Sequence, residues 1–302
     1  DNPIMKAIYS MHMPLFAAIS GYFYWFSIHS YGPIKSALKR IKQLLPVCIV
    51  WGIMLWGLRI AWGKNGSIKT LVRLCLTDFW FLWTLMIAAV LVSFAEYISP
   101  RKIQIRICIY GVILTAALFT PDFYWLGAHK SMSMFFFFVV GVCCGRYGYK
   151  WLLNSTSAVI SLLVWCAMIP FYTRDSYIYL SGFTLLGKEN CVQQILINVY
   201  RFTIGFVGSI ALLYGLKLLY KKVYKSKINS FITLVQRFGT QTLSIYILST
   251  YLFIYVLPNL TQTATLNYLL TLFESIVILL LCYSIGLMLQ KSNVLGRLII
   301  GR

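Results

Sequence analysis

AIYSMHMPLFAAISGYFYWFSIHSYGPI, residues 7–34, contains no Asp, Glu, Lys or Arg. A bilayer crossing takes about 20 mostly apolar residues. This stretch is long enough for one and predicts a span from about Ile4 to His29. Eight more segments of the same character follow: about Leu44–Trp62, Phe79–Ile98, Ile103–Thr120, Lys130–Tyr149, Trp151–Tyr172, Gln194–Leu218, Gly239–Leu257 and Leu266–Leu289. The reading is an all-α polytopic transmembrane helix bundle of about nine spans.

The composition points the same way. The chain of 302 residues is 60% hydrophobic and 11% charged, with mean hydropathy +0.77. A soluble domain carries about 25% charged residues. A water-exposed surface cannot be covered with so few charges, which excludes a soluble enzyme, a disordered tail protein and a fibrous repeat. No Pro- or Ser-rich linker interrupts the pattern, so residues 1–302 read as a single membrane-embedded domain.

The charge balance is strongly basic, 27 Lys and Arg against 7 acids. In a soluble chain +20 would suggest nucleic acid. Here the basic residues sort by side instead. With the nine spans above and Arg201 left within the membrane, eighteen fall on one side, including Lys35, Lys39, Arg40 and Lys42, and eight on the other. Basic residues collect in cytoplasmic loops. The eighteen-residue side is therefore expected in the cytoplasm, with the C-terminus there and the start of the chain outside. No nucleic-acid partner is needed to explain the charge.

Few residues offer chemistry. No GxxxxGK[ST] or GxGxxG phosphate loop is present. Six of the eight cysteines lie in expected spans, and no Cys/His spacing of a metal site occurs, so no metal is expected. Cys75 and Cys191 both face the outer side and could pair in an oxidising compartment. His12 stands inside the first span beside Pro14, which frees the carbonyl of Ser10 and bends the helix. His12, Phe16, Ile19 and Phe23 share a helical face. An intramembrane ionisable residue is a functional candidate, and imidazole exchanges a proton near neutral pH. A packed histidine satisfied by a neighbouring helix is the plainer alternative. Glu274 sits mid-span and calls for a partner such as Arg59, Arg201 or a His. Arg59, Arg201 and His129 read as helix-end residues that snorkel to the interface. The cluster Lys35, Lys39, Arg40 and Lys42 serves either as a topology signal with lipid headgroups, or as a phosphate site.

An ordered set of motifs carries a resemblance. His12-Met13-Pro14-Leu15-Phe16, followed by Ile19-Ser20-Gly21-Tyr22, resembles the second-helix signature of the acyltransferase 3 family, polytopic membrane O-acyltransferases that act on sugars and other cell-surface molecules. Lys39-Arg40-Ile41-Lys42-Gln43-Leu44-Leu45-Pro46 with Trp51 is similar to its basic stretch entering the third helix. Trp80-Phe81-Leu82-Trp83-Thr84-Leu85, Phe135–Gly141 and Gly239-Thr240-Gln241-Thr242-Leu243-Ser244-Ile245-Tyr246 resemble later segments. The family's paired arginines appear here as Arg40 and Gln43. A His that often follows the late Ile-Tyr is replaced near Ser249.

The resemblance implies an acyltransferase in a bacterial cytoplasmic (inner) membrane. It implies acyl-CoA as donor, expected to be acetyl-CoA, and a hydroxyl of a cell-surface polysaccharide or lipid-linked sugar as acceptor. Membrane lipids are further partners. Arg40, with Lys39 and Lys42, is implied in binding the donor's phosphates, and His12 is the catalytic candidate. It also implies a tenth helix before Asp1, carrying an Arg and a principal His about ten residues later. Two rival readings remain: a transporter or flippase for a lipid-linked sugar, and an inactive structural partner in polysaccharide synthesis.

Overall fold

The computed structural model describes residues 3–63, 66–120, 126, 128–225, 229–251 and 268–301. Among these there are helices and no strand. Helix α1 is Pro3–Tyr31, α2 Pro33–Ala61, α3 Ile68–Arg73, α4 Trp80–Ile98, α5 Ile103–Leu118, α6 Ala128–Tyr147, α7 Ser155–Met168 and α8 Ile178–Ser181. Then come α9 Cys191–Lys225, α10 Asn229–Thr240, α11 Thr242–Tyr251, α12 Tyr268–Gln290 and α13 Asn293–Ile300. Each of the nine expected segments falls on a helix wholly or in part. Residues 252–267, at the end of the eighth segment and the start of the ninth, lie outside the described residues. Four helical segments, Pro33–Ala61, Trp80–Ile98, Cys191–Val223 and Leu272–Gln290, are long and apolar enough to cross a membrane. Ile103–Leu118, Met132–Tyr147 and Ser155–Phe171 are apolar but shorter.

The chain divides into two compact units, residues 1–42 with 76–219, and residues 43–75 with 220–302. In the first, α1 packs on α6 with almost no space between backbones. A Cβ on Gly21 would strike the Phe138 carbonyl, and one on Gly141 the Ala18 carbonyl. Lipid tails are as apolar as the side chains, so membrane helices associate through small residues that let backbones approach. Gly141-Val-Cys-Cys-Gly145 on α6 supplies that surface, with Gly145 seated against Trp25. α4 closes the other side. The Tyr24 hydroxyl lies 2.6 Å from Ser93 Oγ and 3.1 Å from the Ala89 carbonyl. α1 stays helical through Pro14, which is buried. Its packed face is Ser10, Pro14, Ala17, Gly21, Tyr24 and Ile28. The His12 stripe points away from it, with Phe16 and Phe23 exposed.

At the α1–α2 hairpin end of this unit, Glu96 of α4 accepts from Arg106 Nη1 at 2.6 Å and from Arg146 Nη1 at 3.1 Å. Arg146 also stacks 4.9 Å from the Trp25 ring centroid. The second unit is tied by polar contacts between its own elements. Trp51 Nε1 donates to the Ile299 carbonyl at 2.8 Å. Gln241 and Gln290 exchange amide hydrogen bonds of 2.7 and 2.5 Å. Gly301 adopts φ 71°, and a Cβ there would lie 2.7 Å from the Gln43 carbonyl. Among the described residues of this unit the Arg59 Nε is buried with no hydrogen-bond partner, and Glu274 makes no ion pair. No disulfide joins Cys75 and Cys191.

Candidate functional site

His12 lines a cavity of about 50 Å³ in the first unit. Its Nδ1 lies 2.8 Å from the Ile8 carbonyl, one turn back on α1. A carbonyl only accepts, so Nδ1 carries the hydrogen, and in the neutral ring Nε2 keeps its lone pair. The ring is half-buried and is held edge-on by Tyr9, with centroids 5.1 Å apart. Tyr9 in turn meets Tyr177 at 5.4 Å, and Tyr177 meets Tyr172 at 5.2 Å. One nitrogen of His12 is thereby oriented and the other is left able to take a proton.

The opposite wall comes from α9 and the segment before it. Gln194, Asn198 and Arg201 recur at i, i+4 and i+7, one stripe of the helix. Each reaches back to main-chain carbonyls of residues 175–183. Arg201 donates from Nε to Ser176 at 2.8 Å, from Nη1 to Gly182 at 2.5 Å and from Nη2 to Asp175 at 2.9 Å. Nη1 also donates to Asn198 Oδ1 at 3.1 Å, and Nη2 reaches the Tyr177 carbonyl at 3.5 Å. Asn198 Nδ2 donates to Phe183 at 2.9 Å, and Gln194 Nε2 to Gly182 at 3.1 Å. Five donors of the guanidinium fork meet five oxygens, and none of those oxygens belongs to a carboxylate. Arg201 is therefore not a snorkelling helix-end residue: it clasps the 175–183 segment onto α9 and borders the His12 cavity. The polar stripe at 194, 198 and 201 was the sequence signal for it. The side chain of His129 lies outside the described residues.

The basic cluster sits at the other end of α1. Gly32, at φ 79°, turns the chain, and its N–H donates to the Ile28 carbonyl at 2.9 Å. α2 then places Lys35, Lys39 and Lys42 along one exposed face at i, i+4 and i+7. Lys39 Nζ sits 4.2 Å over the Tyr31 ring. Arg40 is turned about 100° from Lys39 and is half-buried. The four cations that adjoin in sequence are thus split between a lysine face and an inward arginine. On α2, Arg40 comes back beside α1 within electrostatic range of the Tyr24 hydroxyl. From His12 to Tyr24 the helix rises roughly 18 Å at 1.5 Å per residue. The structure therefore does not bring His12 and Arg40 together.

The model of the acyltransferase-domain family matches residues 2–287. The nodulation protein NolL of Mesorhizobium japonicum is 25% identical over 264 residues, which cover 82% of this chain and 66% of that protein. The nodulation protein NolL of Sinorhizobium fredii is 34% identical over 98 residues, 31% of this chain and 25% of that protein. The chain thus spans just under two thirds of the first relative and a quarter of the second. No solved structure matches. With nearly its whole length inside the family match and its apolar helices suited to a bilayer, the chain belongs to the acyltransferase 3 family of membrane proteins.

Proposed function

We propose that the protein is an integral membrane O-acyltransferase. It moves an acetyl group from cytoplasmic acetyl-CoA to a hydroxyl of a cell-surface polysaccharide or its lipid-linked precursor, with residues 1–302 acting as one membrane domain. The observation that carries this reading is His12, fixed by the Ile8 carbonyl through Nδ1 so that Nε2 is the nitrogen left for proton exchange, on a cavity edged by hydroxyls, Asn198 and Arg201. Nε2 takes the proton of the acceptor hydroxyl as its oxygen attacks the thioester carbonyl. The C–S bond then breaks, and Nε2 returns the proton to the departing sulfur, so that coenzyme A leaves as the thiol and His12 is neutral again. Hydrogen-bond donors at the cavity stabilise the negative charge that develops on the carbonyl oxygen. The family match supports transfer rather than transport.

Arg40 is assigned to the donor's phosphates, with Lys39 and Lys42 adding charge. The planar fork of arginine suits phosphate, and lysine acts as a point charge. Coenzyme A carries its phosphates and its thioester at the two ends of a long arm, which suits a phosphate site and a proton acceptor set apart along α1. The hairpin end and the C-terminus are assigned to the cytoplasm of a bacterial inner membrane on the basic-residue bias.

The test uses the protein in proteoliposomes with labelled acetyl-CoA and a glycan acceptor. His12→Ala is expected to lower transfer about 10²–10⁴-fold, with thermal stability little changed. Loss of stability without loss of transfer by the folded protein would make His12 a packing residue and overturn the assignment. Arg40→Ala is expected to weaken donor binding by about 1.5–3 kcal/mol, and Arg40→Lys to recover only part. Unchanged donor affinity would reduce the cluster to a topology signal. In a background with the native cysteines replaced, Lys69→Cys should be labelled from outside intact cells and Lys291→Cys should not; the reverse pattern inverts the topology.

A further inference from the structure

A second cavity, about 370 Å³, lies between α1, α6, α9 and the turn after α6. Its walls are apolar: Ile19 and Phe23 of α1, Val140 of α6, Leu153 of the turn, Phe206 and Leu213 of α9. Ser209 also lines it, but its hydroxyl donates to the Gly205 carbonyl at 2.6 Å within its own helix. A half-open pocket with such walls takes hydrocarbon; an enclosed apolar cavity of about 150 Å³ already binds benzene. This one is more than twice that size. An acetyl group would leave most of it unfilled, so it is not explained by the proposed reaction.

Cations stand where the cavity reaches the hairpin end. Lys217, one turn beyond Leu213 on α9, donates from Nζ to the carbonyl of the lining residue Leu153 at 3.2 Å, and its ammonium lies 5.5 Å from the Tyr214 ring centroid. That uses one of its three N–H donors. Lys150 follows the lining residue Tyr149 and is exposed. The carboxylate at this end, Glu96, already holds Arg106 and Arg146. A hydrocarbon slot with Lys217 bonded to one wall residue, and the exposed Lys150 next along the chain from another, is complementary to one class of amphiphile.

We propose that the cavity binds one hydrocarbon chain of an anionic phospholipid whose phosphate is held between Lys217 and Lys150. The proposal does not rest on the acyltransferase reading. The chain gains by leaving contact with loosely packed lipid for fixed walls, and the headgroup gains from cations close to the bilayer surface. Such a lipid would fill the space that α1, α6 and α9 leave between them.

The test is native mass spectrometry of the full chain, delipidated in detergent and then offered palmitoyl-oleoyl phosphatidylglycerol or phosphatidylcholine. The wild type should retain phosphatidylglycerol preferentially. Lys217→Gln should lower its retention about fivefold, the scale of one cation near a bilayer surface, and leave phosphatidylcholine unchanged. Lys69→Gln, on α3, should change neither. Val140→Phe, which fills the slot, should lower retention of both lipids; Leu213→Trp does the same at its mouth should the first variant not fold. Equal retention of the two lipids by the wild type would overturn the proposal, as would an unaffected Lys217→Gln or a folded cavity-filled variant that binds phosphatidylglycerol normally. Stoichiometric displacement of phosphatidylglycerol by palmitoyl-CoA would also overturn it, and would give the cavity to the chain of an acyl donor.

Discussion

The first unit buries arginine in two different ways, one at each end. At the hairpin end Arg106 and Arg146 share the carboxylate of Glu96. At the His12 end Arg201 is held by four main-chain carbonyls and an amide oxygen. The first arrangement concentrates its electrostatics on one side chain, contributed by α4 and gripped from α5 and α6. It joins three helices, and the removal of one residue undoes it. The second spreads the charge over neutral dipoles in a single loop. It fixes the loop rather than the helices, and no one partner is essential to it. One end of the unit is built for rigidity between helices, the other for shaping a cavity wall.

The largest effect that tests this contrast belongs to Glu96→Ala. It leaves Arg106, only 3% exposed at its side chain, without its carboxylate. Removing one partner of a buried ion pair costs about 3–5 kcal/mol. Thermal unfolding in detergent should report a loss of that order, spread over α4, α5 and α6 together. A loss below about 1 kcal/mol, the value of an exposed pair, would show that the triad is solvated and that the two ends do not differ as described.

The two ends also differ in how far the sequence disclosed them. Apolar runs placed the helices, because a bilayer demands about 20 such residues whatever their neighbours. The match over residues 2–287 agrees with the ordered motifs that begin at His12. The Glu96 triad was legible in principle: a lone acid near the end of an apolar segment, with arginines ten and fifty residues on, requires a counter-charge. Which arginines answer it depends on how α5 and α6 pack. The Arg201 clasp was far less legible, since carbonyls belong to every residue and carry no side-chain signature. Only the recurrence of Gln194, Asn198 and Arg201 on one stripe marked it. The split of Lys39 and Lys42 from Arg40 was open to the same helical arithmetic. The chain's division into two units was not: α2 passes from basic to apolar at residue 43, where one unit gives way to the other, but that change reads equally well as the entry to a membrane span.

Arg201→Gln should have a smaller effect than Glu96→Ala and a different distribution. It removes at least three charge-assisted donors, but of the residues whose carbonyls are freed only Ser176 and Gly182 are buried, while Tyr177 is half-buried and Asp175 exposed. The expected cost is about 1–3 kcal/mol. Hydrogen exchange should rise across residues 175–183 while protection in α1 and α6 is kept, because local opening follows local contacts. Uniform loosening of the unit would mean that Arg201 joins helices, as the Glu96 triad does.

The smallest change is the most discriminating. Asn198→Asp places a carboxylate where Asn198 Oδ1 now accepts from Arg201 Nη1 at 3.1 Å. It converts the neutral basket into an ion pair of the kind found at the other end. The gain is a charge-assisted bond to the guanidinium. The losses are the donation from Asn198 Nδ2 to the Phe183 carbonyl at 2.9 Å, worth about 0.5–1.5 kcal/mol, and the desolvation of a carboxylate at a residue now 4% exposed, which offsets much of an ion pair's attraction. These terms nearly cancel, so stability should move by less than about 1 kcal/mol. Transfer should respond more than stability. A negative charge beside Arg201 reduces the positive potential at the cavity wall, where the proposed reaction develops negative charge on the carbonyl oxygen. The expected result is a fall in kcat with little change in the donor's KM, since the donor's phosphates are assigned to Arg40, set apart from His12 along α1. A variant as active as the parent would show that Arg201 acts only as a clasp. A variant stabilised by about 2 kcal/mol or more, beyond the cancellation argued here, would show that carbonyls hold this arginine poorly, and that the two ends differ in strength as well as in kind.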